Sequence, residues 1–180
     1  MFNYLSSITE LAHHIVKCYS KEFNIAVDAT LGNGGDCDFL SSCFNRVYAF
    51  DIQSIAIEQY ERKKLENVIL INDSHSNMES YIKEEVDIVM FNLGFLPGGD
   101  KGITTRAESS LEAINQSLKL LRCGGMVLIA VYVGHEEGAK ESECIIEYVK
   151  KLPRDRFGVM LHKVLNRSEK APYLLVVEKK

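Results

Sequence analysis

The amino-acid sequence predicts an α/β fold: a doubly wound, seven-stranded, mostly parallel sheet with one antiparallel strand near the C-terminus. Three observations predict it. Continuous apolar runs alternate with amphipathic helical patterns, as parallel strands covered on both faces require. The first run ends in a glycine turn that opens a helix, Val27-Asp28-Ala29-Thr30-Leu31-Gly32-Asn33-Gly34-Gly35-Asp36. The last two runs have no helix between them, so they must pair antiparallel.

Leu5, Ile8, Leu11, Ala12, Ile15 and Val16 recur at helical spacing and predict a helix over Leu5–Tyr19. Strand one is Ile25–Asp28, and a helix over Asp36–Phe44 follows the glycine turn. Strand two is Val47–Asp51, then a helix over Ser54–Leu65 with Ile55, Ile57 and Tyr60 facing inward. Strand three is Val68–Asn72, and Met78–Ile82 is a short helix. Strand four is Val86–Leu93, with a helix over Arg106–Leu121 after it. Strand five is Gly125–Tyr132, followed by a long amphipathic helix over Glu136–Lys151. Phe157–Leu165 and Tyr173–Glu178 close the chain as two strands with a connection of five to seven residues.

The chain has 180 residues, which fit one domain, 1–180, and 46% hydrophobic residues, enough for a proper core. No apolar run reaches membrane-spanning length and no charged-then-apolar leader is present, so a cytoplasmic protein with no membrane contact is expected. The five cysteines (Cys18, Cys37, Cys43, Cys123, Cys144) are odd in number and scattered. They lack zinc-site spacing and read as buried, reduced thiols, and no metal is expected. A net charge of −4 argues against gripping long duplex nucleic acid, and allows a local patch that meets a short single-stranded element.

The glycine turn carries the strongest functional signal. Gly32, Gly34 and Gly35 allow a sharp turn that a ligand can approach, and the next helix start offers backbone amides to it. Nineteen residues after Gly32 the second strand ends in Asp51, where an acid can take both ribose hydroxyls of a nucleoside. A dinucleotide fingerprint would need a third glycine, but that position is Cys37. Asp28, four residues before the first glycine, suits the ammonium of an amino-acid moiety better than a pyrophosphate. Other polar clusters also close strands: Asp73-Ser74-His75, Asn92 with a glycine-rich loop through Lys101, and Tyr132 to Gly138. Ligands of such sheets bind beyond these carboxyl ends.

Asn92 at a strand tip, followed by a glycine-rich loop, offers an amide oxygen and exposed backbone carbonyls that can orient an amine. His135 and Asp100 are rival proton acceptors. His75 either closes a nucleoside pocket or caps the segment after it. Of His13 and His14 on the first helix, one can touch the crevice. Lys101, Arg106, Arg167 and Lys170 form a basic rim on the same edge, with the hairpin loop Asn166-Arg167-Ser168-Glu169-Lys170 over it.

The elbow with Asp28 and Asp51 resembles the class I S-adenosylmethionine (SAM) methyltransferases, whose Rossmann-like sheet also has one antiparallel strand near its end. Asp28 to Asp36, Phe50 to Gln53, Asp73 to His75, Phe91 to Lys101 and Tyr132 to Gly138 together narrow the resemblance. They are similar to small bacterial proteins labelled rRNA methylases, of the MnmM (YtqB) type, from about His13 to Glu178. This implies SAM as cofactor, held by Asp28, Thr30, Gly32, Asn33, Gly34 and Asp36, by Asp51 and Gln53, by Asp73 and Ser74 at the adenine, and by His75 and Asn92. It implies a tRNA anticodon stem-loop as partner, with methylation of the amino group of 5-aminomethyl-2-thiouridine at the wobble position. Gly94, Phe95, Leu96, Pro97, Gly98, Lys101, Thr105, Arg106, Tyr132, Asn166 and Arg167 would face that substrate. The chain departs from the family at Val133, where a proline is usual, and at Ser110, where a threonine is.

The residues leave alternatives open: an rRNA or a small-molecule amine as substrate, or a nucleoside-binding protein without catalysis. A homodimer is also open. An oxidoreductase fits poorly, because of Cys37 and Asp28.

Overall fold

The computed structural model describes residues 7–93, 107–134 and 136–180. The elements in order are α1 (Ile8–Tyr19), β1 (Ile25–Asp28), α2 (Gly35–Cys43), β2 (Arg46–Phe50), α3 (Ser54–Glu61) and β3 (Val68–Ile71). A 3-10 turn (His75–Asn77) leads into α4 (Met78–Tyr81) and β4 (Val86–Leu93). Then come α5 (Ala107–Leu120), β5 (Leu121–Val131), α6 (Glu136–Val149), β6 (Phe157–His162) and β7 (Tyr173–Lys179).

The strands form one seven-stranded sheet in the order β3-β2-β1-β4-β5-β7-β6. Pairings from β3 through β5 are parallel, and β7 runs antiparallel to both β5 and β6. The fold is therefore the doubly wound, mostly parallel sheet that the sequence predicts.

Successive side chains of a strand point to opposite faces, so each apolar strand feeds two cores. Val27, Val89, Ile129 and Val177 pack with Ile114 of α5 and Ile145 of α6 on one face. Ala26, Ile88, Leu128 and Leu174 pack with Val16 of α1 and Leu40 of α2 on the other. Ser7 starts α1 by accepting the Glu10 amide at 3.0 Å, and Ala12, Ile15 and Val16 are its buried stripe.

The site depends on the alignment of β1 with β4. At the far end of the sheet the buried Asp87 carboxylate accepts the backbone amides of Asn24 and Ile25, both at 2.8 Å. Arg122 meets the other Asp87 oxygen at 3.0 Å. This anchor fixes the start of β1 against β4 and so sets where both strands end.

Several local expectations change. Helix α3 stops at Glu61 instead of Leu65, because the chain turns there: Lys63 and Lys64 amides reach back to the Tyr60 and Glu61 carbonyls, and Lys64 takes a φ of +51°. Ile55 faces solvent, 59% exposed, whereas Ala56 and Tyr60 carry the buried side of α3. Leu121 belongs to β5, which starts before Gly125, with an irregular register against Val86–Ile88. The β6–β7 connection, residues 163–172, is longer than expected because β6 ends at His162. The cysteines are free, but of the five only Cys37 is buried; Cys43 is intermediate and Cys18, Cys123 and Cys144 are exposed. Among the described residues no helix is long and apolar enough to cross a membrane.

Candidate active site

The strand order reverses between β1 and β4, since β2 and β3 lie to one side and β5 to the other. Chains diverge at such a point and leave a crevice beyond the strand tips. Asp28 ends β1, and Asn92 lies two residues beyond Met90, the β4 partner of Asp28. Both residues therefore lie at that crevice.

The elbow after β1 is held by backbone geometry. Gly34 caps α2 in the left-handed region at φ +79°, and a Cβ there would lie 2.2 Å from the Tyr60 ring. No residue but glycine fits. Gly32, at φ +49°, donates its amide to Asp51 Oδ2 at 2.9 Å, tying the elbow to the tip of β2. Asp51 Oδ1 accepts the Gln53 amide at 2.9 Å. Each Asp51 oxygen is thus aimed by a backbone amide, and the carboxylate is half-buried at the crevice.

Asp28 is fully buried. Its Oδ1 accepts the Thr30 amide at 3.0 Å, while its Oδ2 has no hydrogen-bond partner. Burial, together with the nearby Asp36 and Asp51 carboxylates, pushes its pKa up to about 8. Three acids crowd one elbow, one of them buried with an orphan oxygen, and either a proton or a bound cation relieves them. The ammonium of an amino-acid moiety, met directly or through one water, supplies that charge, so the residues present fit SAM.

Asn92 is clamped at both ends. Its backbone N–H donates to Thr30 Oγ1 at 2.8 Å, and its side-chain Nδ2 donates to Asp36 Oδ2. Asp36 Oδ1 in turn accepts from His13 Nε2 at 2.5 Å. The His13 ring stacks on Phe39 with centroids 3.9 Å apart and planes 12° off parallel.

The tip of β3 is organised differently. Asp73 accepts the Ser74 amide at 2.7 Å, the Tyr81 hydroxyl at 2.8 Å and the Asn77 side chain at 3.1 Å. These donors, Tyr81 foremost, hold its carboxyl below the usual range. Ser74, not His75, caps the 3-10 turn, by accepting the Ser76 amide. His75 is buried and donates Nδ1–H to the Ala29 carbonyl at 3.0 Å. Burial lowers its pKa, and the neutral ring fixed in this tautomer keeps Nε2 as an acceptor. His75 thereby ties the β3 tip to the elbow.

A family model described as "Putative rRNA methylase" matches residues 47–178. The chain belongs to this rRNA methylase family. A tRNA (mnm(5)s(2)U34)-methyltransferase of Arabidopsis thaliana chloroplasts is 34% identical over 190 residues, covering 96% of this chain and 69% of the relative. A crystal structure described as a putative rRNA-methylase from Clostridium thermocellum is 37% identical with a TM-score of 0.93, covering 98% of this chain and 99% of that one. A putative methyltransferase from Streptococcus mutans, in complex with S-adenosylhomocysteine (SAH), is also 37% identical, with a TM-score of 0.88 over the same shares. The chain is a class I SAM-dependent methyltransferase.

Within this rRNA methylase fold the other sequence candidates fall into two groups. Tyr132 follows β5 and is 37% exposed at the same sheet edge; the Tyr132 carbonyl lies 2.9 Å from where a Gly138 Cβ would be, so α6 can start this close only with glycine there. Asn166 and Arg167 are exposed in the β6–β7 connection, on the carboxyl edge because β6 runs parallel with β5. Asn33 is exposed within the elbow. Gly94, Phe95, Leu96, Pro97, Gly98, Asp100, Lys101, Thr105, Arg106 and His135 lie outside the described residues. Among the described residues no group of three or more His, Cys, Asp or Glu side chains could hold a metal.

Two contributors escaped the sequence reading. Tyr60 packs on Gly34 and donates to Asp38 at 2.9 Å, but its spacing announced only a core position. Asp36 was singled out for the cofactor, but its grip on His13 and Asn92, one through each oxygen, was not foreseen. The one available signal was His13, on a helix expected near the crevice.

Proposed function

We propose that this protein transfers a methyl group from SAM to the amino group of 5-aminomethyl-2-thiouridine at the wobble position of a tRNA anticodon. The observation that carries this is the placement of Asn92 at the strand-order reversal beside the acidic elbow, in a chain 34% identical to a relative named for that modified uridine. Asp28 answers the ammonium of the cofactor, Asp51 with Gln53 its ribose, and Asp73, Ser74 and His75 its adenine.

A primary aliphatic amine needs an acceptor that turns its lone pair toward the methyl carbon. The Asn92 side-chain oxygen is that acceptor. The amine nitrogen forms a bond to the methyl carbon as the sulfur–carbon bond breaks, and its electron pair stays on sulfur, leaving SAH. The new ammonium then gives its proton to His135 or Asp100, or to solvent. Nothing in this step requires a flat base.

The substrate end is an anticodon stem-loop. Arg167 and Lys170 of the β6–β7 connection, with Lys101 and Arg106, meet a few of its phosphates, which a chain of net charge −4 tolerates because the contact is local. The same reading takes the cytoplasm as the place of work. Nucleoside mass spectrometry of tRNA from a strain lacking the gene tests it. The 5-methylaminomethyl nucleoside should vanish, its 5-aminomethyl precursor should accumulate, and complementation should reverse both. Unchanged wobble uridine would refute the substrate assignment.

A further inference from the structure

We propose that Asp36 and His13 are positioning residues for methyl transfer: Asp36 sets which end of the Asn92 amide faces the substrate, and His13 sets Asp36. This rests on the reading of Asn92 given above and extends it to residues that act through Asn92.

An asparagine side chain is a nearly symmetrical fork with a donor on one prong and an acceptor on the other. At a strand tip the prongs could exchange by a half-turn, and only one orientation accepts from an amine. Asp36 removes the ambiguity. A carboxylate only accepts, so the prong against it must be Nδ2, and Oδ1 is turned away from it. The reverse orientation would press an amide oxygen against a carboxylate oxygen in a site where Asp36 is only 5% exposed. The backbone is fixed independently, through the Asn92 N–H on Thr30 Oγ1 at 2.8 Å. A negative charge on the Nδ2 side also polarises the amide and strengthens Oδ1 as an acceptor.

Asp36 is itself oriented. Its second oxygen accepts from His13 Nε2 at 2.5 Å, and the His13 ring is held flat on Phe39. The chain of contacts therefore runs from α1 through the start of α2 to the tip of β4. It gives α1 a task in the reaction beyond packing.

The test is a double-mutant cycle read on two quantities, turnover with tRNA bearing 5-aminomethyl-2-thiouridine and SAH affinity by calorimetry. Asp36→Asn should lower kcat by about 10- to 100-fold, the cost of a misaligned acceptor, and change SAH affinity by less than about threefold. In an Asn92→Ala background the same change should cost less than about twofold more, because the group it orients is gone. His13→Phe keeps the stack on Phe39 and loses the donor; His13→Gln keeps a donor. The first should lower kcat by about tenfold and the second should recover most of it.

Equal losses in both backgrounds, or a fall in SAH affinity as large as the fall in kcat, would mean that Asp36 serves the cofactor, and would overturn the proposal. Should Asp36→Asn fail to fold, the His13 pair still decides, since phenylalanine and glutamine behaving alike would refute the chain of contacts. A wild-type protein that binds SAH but leaves this tRNA unmethylated would sink the substrate reading, and this inference with it. Additive losses in an active enzyme would sink the inference alone.

Discussion

Asp28 ends β1 and Asp73 lies two residues beyond β3 on the same edge of one sheet, and their surroundings are opposite. Asp73 is saturated by Tyr81, Ser74 and Asn77, and its carboxyl is held below the ordinary range. Asp28 is fully buried, keeps one oxygen without a partner, and is pushed up to about 8 by burial and by Asp36 and Asp51. The β3 tip is a finished piece of structure. The β1 tip is unfinished: a buried carboxyl that keeps its proton and leaves one oxygen without a partner marks a place that a ligand completes. On the proposed reading, the cationic end of the cofactor meets the β1 tip and the β3 tip is a pre-set wall.

The sharpest way to break this contrast is Asp28→Asn. The side chain keeps its shape and can no longer become a carboxylate. SAH affinity should fall by about 10- to 100-fold, the value of a charge-assisted hydrogen bond. The free protein should become more stable, by several degrees in Tm. The sign follows from proton counting. Between pH 4 and 8 the native Asp28 holds a proton that the unfolded chain has released, so its contribution to stability falls as pH rises through that range. The Tm gain of the variant should therefore be absent near pH 4, grow toward pH 8 and level off above it. A variant less stable than wild type at pH 8 would show that Asp28 is a structural acid like Asp73.

A smaller effect sharpens the same point. A bound ammonium favours the carboxylate form, so SAH binding at pH 7 should expel up to about one proton from Asp28. Calorimetry in buffers of different ionisation enthalpy reads this directly. The apparent enthalpy should track the buffer in wild type and cease to do so in Asp28→Asn. Over pH 6 to 8, SAH affinity should rise severalfold in wild type. Buffer-independent enthalpy in wild type would place the ammonium elsewhere.

The contrast also explains what could be read from the sequence. The doubly wound sheet, its one antiparallel strand near the C-terminus and the placement of Asp28, Asp51 and Asn92 at strand ends were legible because apolar period and glycine turns are local signals. The end of α3 was not, because the turn at Lys63 and Lys64 is built from backbone bonds that lysine side chains do not announce. Ile55 was misplaced because an apolar residue on a short helix says little about which side the sheet lies. The state of Asp28 and the chain from His13 to Asn92 were hidden for a third reason. Both arise from contacts between groups up to 56 residues apart that only the doubly wound topology brings together, as the Asp87 anchor does across 63 residues.

The smallest effect tests whether the β3 tip is as finished as it looks. Tyr81→Phe removes one donor from Asp73 and leaves Ser74 and Asn77 in place. Asp73 has a lowered carboxyl, so the donor's contribution to stability is present above the ordinary carboxylate range and disappears as pH falls through the lowered native value. At pH 7 the variant should lose no more than about 3 °C in Tm, since the pair is exposed and solvent screens it. Wild type and variant should converge in acid. SAH affinity should change by less than about twofold, because two donors still hold the carboxylate at the wall of the pocket. A tenfold loss of SAH affinity with unchanged Tm would reverse the assignment, making the Tyr81–Asp73 pair a tuned part of the adenine site and the contrast between the two strand tips one of degree.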